Sequence, residues 1–87
     1  MVKEIYIVCG TTGEYSDRRE WFVAAYRNRV RAEQHIANLD TWLREHGYDR
    51  NTHRPYDYET KCPLDANFAT DYTGTRYYVA SCPYISR

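Results

Sequence analysis

The hydrophobic pattern of this chain changes period twice. Lys3 to Cys9 is a short β-branched and aromatic run that places Ile5 and Ile7 on one face and Tyr6 and Val8 on the other. That alternation predicts a first strand, ended by Gly10. Trp21 to Tyr26 predicts a second strand, with Trp21, Val23 and Ala25 on one face and Phe22, Ala24 and Tyr26 on the other. Both faces are apolar, so its expected place is the centre of a sheet. Beyond Asn28 the period lengthens. Ala32, Ile36, Leu39 and Leu43 recur at helical spacing to about His46, with Trp42 at the edge of the stripe. Asn28 suits the N-cap and Gly47 the position after the last turn. From Arg76 to Cys82 the period returns to two, with Tyr77, Val79 and Ser81 alternating with Tyr78, Ala80 and Cys82. Pro83 is expected to stop that ladder.

Between helix and last strand the chain is polar, and Asn51, Pro55 and Pro63 disfavour regular structure. Residues 48–67 are therefore expected to form an irregular excursion that packs by its tyrosines. Phe68 to Thr70 is a candidate short strand, and Tyr72-Thr73-Gly74-Thr75 is a turn signal. The order strand, strand, helix, strand predicts a single α+β domain over 1–87. Its architecture is a small antiparallel sheet of three to four strands with one helix on one face. The first and last strands are expected neighbours. The uncovered face is expected to carry aromatic and polar residues, and it is the natural place for a partner.

The connection Thr11 to Trp21 is longer than the two to five residues a hairpin needs. It carries both signs of charge and a glycine suited to positive φ, and loops of this kind are more often functional or self-packed than idle.

Composition narrows the classes. Eighty-seven residues with ten tyrosines and two phenylalanines make a thin domain that uses amphipathic rings at half-buried margins or contact surfaces. Twelve basic and twelve acidic residues cancel, which removes the global attraction of a nonspecific nucleic-acid or membrane binder. Ten of the twelve cations are arginine, the residue suited to pairing with carboxylates and phosphates. Cys9, Cys62 and Cys82 are odd in number and lack CxxC spacing. Met1-Val2-Lys3-Glu4 leads into the first strand without a signal-peptide core. The expected setting is cytoplasmic, with reduced thiols and Cys9 and Cys82 buried.

Three chemistries are open to these residues. Ser16 beside Asp17 could serve as a nucleophile, but no histidine lies near in sequence and no nucleophile elbow is present, so turn capping explains the pair better. Thr11-Thr12-Gly13 after a strand is the start of a phosphate turn without the glycine spacing or following helix of a P-loop or dinucleotide fingerprint. His35, His46 and His53 do not combine with the cysteines at zinc spacings. No metal or cofactor is expected. Arg27, Arg29 and Arg31 gather at the start of the helix, where cations are disfavoured, and form a basic patch with Arg18 and Arg19 if the second strand brings them together. Pairing with nearby carboxylates such as Glu33 or Glu20 is the plainer explanation.

The run Ile5-Tyr6-Ile7-Val8-x-Gly10-x-Thr12-Gly13-Glu14-Tyr15-Ser16-Asp17-Arg18-Arg19-Glu20-Trp21, then Val23-Ala24-Ala25-Tyr26, resembles a group of small uncharacterised phage and prophage proteins. The resemblance extends to Asp71-Tyr72-Thr73-Gly74-Thr75-x-Tyr77-Tyr78 before the last strand, whereas Arg54 to Asn67 belongs to this chain alone. It implies origin more than mechanism: an accessory protein acting by protein binding in a bacterial host. The leading expectation is an inhibitor of bacterial defence such as an anti-CRISPR protein. Its partner would be a host complex, a CRISPR effector being one case, and the protein itself a monomer or homodimer. The alternatives are a small-ligand or nucleotide-binding module using the 11–21 loop, and a small enzyme acting through Ser16 or Asp17. The expected contact residues are Glu14, Tyr15, Asp17, Arg18, Arg19, Arg27, Arg29, Arg31, Asp71 and Tyr72.

Overall fold

A computed structural model describes residues 2–48, 61–70 and 73–85. Strand β1 (Val2–Thr12) is followed by a 3-10 turn (Tyr15–Asp17), then β2 (Arg19–Tyr26), helix α1 (Arg29–His46) and β3 (Thr75–Ile85). The sheet is antiparallel in the order β2-β1-β3, with α1 between β2 and β3 in sequence. This is the expected α+β fold, with three strands.

The central strand is β1, not β2 as its two apolar faces suggested. A β-bulge supplies the reason. Val8 faces Ala24, but the next residue, Cys9, faces Phe22, which leaves Val23 as the extra residue. The bulge reverses the alternation. Trp21 opposite Gly10, Ala24 opposite Val8 and Tyr26 opposite Tyr6 therefore share one face, while Phe22 opposite Cys9 and Ala25 opposite Ile7 share the other. An edge strand with a bulge has imitated the pattern of a central one.

β1 and β3 pair along their whole length, from Val2 opposite Ile85 to Thr12 opposite Thr75. The last strand runs on through Pro83, opposite Glu4. Proline is tolerated there because β3 is an edge. Pairing of Thr11 with Glu20 and Thr12 with Arg19 shortens the long loop to a connection over 13–18. Gly13, at φ 88°, and the turn bond from the Asp17 N–H to the Glu14 carbonyl (3.1 Å) reverse the chain there.

α1 has the expected bounds. The Asn28 side chain accepts from the N–H groups of Val30 (2.8 Å) and Arg31 (3.4 Å), and Gly47 takes the left-handed conformation at φ 77°. The Tyr48 N–H returns to the Leu43 carbonyl at 2.9 Å, closing the last turn. Ala32, Leu39 and Leu43 bury completely or nearly so against Val8 and Tyr77 of the sheet. Trp42 is buried too, not marginal. It stacks on His46 and Tyr48 and meets Phe68 edge-on at 5.1 Å, because the 61–70 segment covers that side of the helix. Phe68 to Thr70 is irregular and forms no strand. Cys9 and Cys62 are buried, whereas Cys82 is exposed, because the end of β3 has no covering layer. No helix of the described residues is long and apolar enough to cross a membrane.

Candidate functional site

The covered and open faces of the sheet divide the molecule. Tyr6, Val8, Trp21, Tyr77 and Val79 belong to the core beneath α1. The opposite face carries Ile5, Ile7, Cys9 and Thr11 of β1, flanked by Phe22 on β2 and by Tyr78, Ala80 and Tyr84 on β3. None of the described elements lies over it. Phe22 is 73% exposed, Tyr84 43% and Tyr78 38%. This is the face expected to await a partner, with the expected aromatic residues, Ile5 and Ile7 along its centre, and Lys3 and Arg76 at its ends.

At one end of the open face the two turns meet. Thr12 Oγ1 donates to the Gly74 carbonyl at 2.7 Å, and the Gly13 N–H donates to Thr73 Oγ1 at 3.0 Å. The 13–18 turn and the turn before β3 therefore form one continuous surface, as antiparallel pairing of β1 with β3 requires. Asp71 and Tyr72 lie outside the described residues. Glu14, Ser16, Asp17, Arg18 and Arg19 are exposed on this end, and Tyr15 belongs to the 3-10 turn. Arg18 pairs with Glu20 at 2.8 Å, and the Tyr78 hydroxyl donates to the same Glu20 oxygen at 3.3 Å. A cleft of about 400 Å³ opens here, lined by Thr11, Arg18, Arg76, Tyr77 and Tyr78. Arg76, absent from the expected contact residues, enters because Thr11 is its cross-strand partner.

The arginines do not assemble as one patch. Arg18 and Arg19 stand at the start of β2, and Arg27, Arg29 and Arg31 follow its end. Eight strand residues at about 3.3 Å each hold the two groups some 20 Å or more apart. Arg29 pairs with Glu33 at 3.1 Å, the plainer expectation for that residue. Arg31 lines a second, shallower cleft of about 460 Å³ with Tyr26, Gln34, His35, Asn38 and Leu64. In that cleft His35 Nε2–H donates to the Leu64 carbonyl at 2.8 Å, so its Nδ1 takes the Tyr26 hydroxyl at 2.8 Å.

Beneath the core face lies a polar knot that sequence reasoning missed. Asp65, 2% exposed, accepts from Trp21 Nε1–H (2.9 Å) and the Tyr77 hydroxyl (2.7 Å) on one oxygen and from the Asn67 N–H (3.0 Å) on the other. Burial, followed by the bond to Asp65 and its charge, pushes the Tyr77 phenol far above its ordinary value. Burial likewise raises the Cys62 and Cys9 thiols. A single aspartate in an irregular segment gives no periodic signal, so only the tertiary contacts could reveal it. The knot pins the 61–70 segment to the sheet.

Ser16 sits exposed on its turn, and the two described histidines are engaged elsewhere. His35 bridges Tyr26 and Leu64, and His46 Nδ1–H donates to the Trp42 carbonyl at 2.9 Å. Among the described residues no group of three His, Cys, Asp or Glu side chains is placed to hold a metal ion. Comparison with known proteins finds no matching family, no matching characterised protein and no matching solved structure.

Proposed function

We propose that this protein is a recognition module that acts by binding another protein with the open face of its sheet. The observation that carries the reading is Phe22, 73% exposed on a face whose central strand presents Ile5 and Ile7 and which no described element covers. Contiguous apolar surface of this kind marks contact sites. Charge complementarity describes the partner. Lys3 at one end and Arg76 at the other make no ion pair among the described residues, and Glu20 is already taken by Arg18. Glu14 and Asp17 are exposed at the turn end, so the partner is a protein surface with an apolar centre, flanked by carboxylates opposite Lys3 and Arg76 and by basic groups opposite Glu14 and Asp17.

Area supports a contribution from the turns. Eleven residues of β1 at about 3.3 Å, across three strands about 4.8 Å apart, give roughly 500 Å². A stable interface needs about 800 Å² per partner. The stitched turns, with Glu14, Asp17, Arg18 and Arg19, supply the remainder. The resemblance to small phage proteins suggests the setting, that of an inhibitor of a bacterial defence complex, with a CRISPR effector the first partner to test.

Photo-crosslinking tests this directly. A crosslinker replacing Phe22 should give adducts with the purified effector complex, whereas one replacing exposed Ala37 on α1 should not. Adducts from position 37 alone, or a nucleotide-dependent thermal shift without adducts from position 22, would reverse the reading in favour of a helix contact or a nucleotide module.

A further inference from the structure

Thr11 is 3% exposed, and its hydroxyl has no hydrogen-bond partner among the described residues. Neighbouring threonines are not left so: Thr12 Oγ1 donates to Gly74 and Thr75 Oγ1 to the Ala69 carbonyl, each at 2.7 Å. A buried polar group without a partner is unfavourable in the free protein and calls for an explanation. Thr11 itself lines the cleft described above, together with Arg18, Arg76, Tyr77 and Tyr78.

We infer that this cleft is an oxyanion-binding site, formed by Thr11, Arg18, Arg76 and Tyr78, whose ligand is a carboxylate carried by the protein partner. The carboxylate's source rests on the recognition reading above; the anion site stands on its own geometry. Arg76 lies directly opposite Thr11 across the β1–β3 pair and makes no ion pair among the described residues. Arg18 gives one terminal nitrogen to Glu20 at 2.8 Å and keeps other donors. Two guanidiniums against the single Glu20 carboxylate leave one unit of positive charge, which matches a monoanion. A carboxylate neutralises that charge, whereas a dianionic phosphate would leave one uncompensated negative charge beside Glu20. The Thr11 hydroxyl donates to one carboxylate oxygen while a guanidinium fork engages the pair, a geometry arginine is suited to.

The test is a titration of acetate, and separately of inorganic phosphate, into isotopically labelled protein at constant ionic strength, read by amide and arginine side-chain chemical shifts. Acetate should give saturable shifts at Thr11 and Arg76, weakened at least tenfold in Thr11→Val and in Arg76→Gln. Thr11→Val preserves shape and deletes only the orphaned hydroxyl, so its melting temperature should rise by about 4 °C while acetate binding falls. That opposition separates a ligand role from a packing role. No saturable shift, or undiminished binding in both variants, overturns the site. Phosphate binding tenfold tighter than acetate overturns the carboxylate assignment. Crosslinking from position 22 distinguishes the two failures: adducts without acetate shifts sink only this site, and acetate shifts without adducts sink only the recognition reading.

Discussion

The Tyr77 hydroxyl lies 2.7 Å from Oδ2 of Asp65, and that same oxygen takes the Trp21 indole N–H at 2.9 Å. One buried carboxylate thus ties edge strands β2 and β3 to the irregular segment that covers the helix. Removing it leaves the buried Tyr77 hydroxyl and the half-buried Trp21 indole N–H without this acceptor. Asp65→Ala should lower the unfolding free energy by about 3 kcal/mol, and Tyr77→Phe, which removes one donor, by about 1 kcal/mol. Urea denaturation of the three proteins checks both values and their order.

The same phenol shapes the alkaline limit. Tyr77 keeps its proton in the fold above pH 10, where the unfolded chain loses it, so the native state binds more protons and stability falls as pH rises. The buried Cys9 and Cys62 thiols, also raised, act with the same sign and begin the decline near pH 9. Stability should therefore be undiminished by these groups below about pH 8 and decline above 9, with Tyr77 contributing a slope of about 1.4 kcal/mol per pH unit beyond 10. Denaturation midpoints across pH 7 to about 11 should show this limb flattened in Tyr77→Phe.

Gly10 is required by a neighbour. A Cβ on Gly10 would run into the Trp21 indole ring opposite it, and the bond to Asp65 gives that ring little room to yield. Gly10→Ala should cost about 2 kcal/mol and alter tryptophan emission as the indole leaves Asp65. Unchanged emission with full stability would mean that the ring moves freely.

Phe22 should separate stability from recognition. Being mostly exposed, its replacement by serine should change stability by less than about 0.5 kcal/mol while lowering partner affinity at least tenfold. Calorimetry against the purified partner, beside thermal unfolding of the free variant, measures both.

Charge reversal of Arg18 and Arg19 asks whether the stitched turns belong to the contact surface. Both side chains are exposed, and the Arg18–Glu20 pair, about half exposed on each side, contributes little to stability. The double glutamate variant should fold normally, by circular dichroism, and lose partner binding. Normal binding would make the 13–18 turn scaffold alone.

What the sequence determined by itself was local. The helix was legible to its ends because Asn28 and Gly47 act on backbone groups within a few residues, and Ala32, Leu39 and Leu43 repeat at a period that only a helix satisfies. The alternation of β1 and β3 was legible for the same reason, and their pairing followed from the topology of a short sheet. Tertiary structure decided the rest. The bulge at Val23 depends on register against β1, and no period within β2 reveals that Trp21 shares its face with Ala24 and Tyr26 and not with Ala25. Asp65 became the centre of the polar knot through contacts between segments far apart in sequence. Such contacts leave no periodic trace, since a single buried carboxylate or an orphaned hydroxyl is defined by what surrounds it in space.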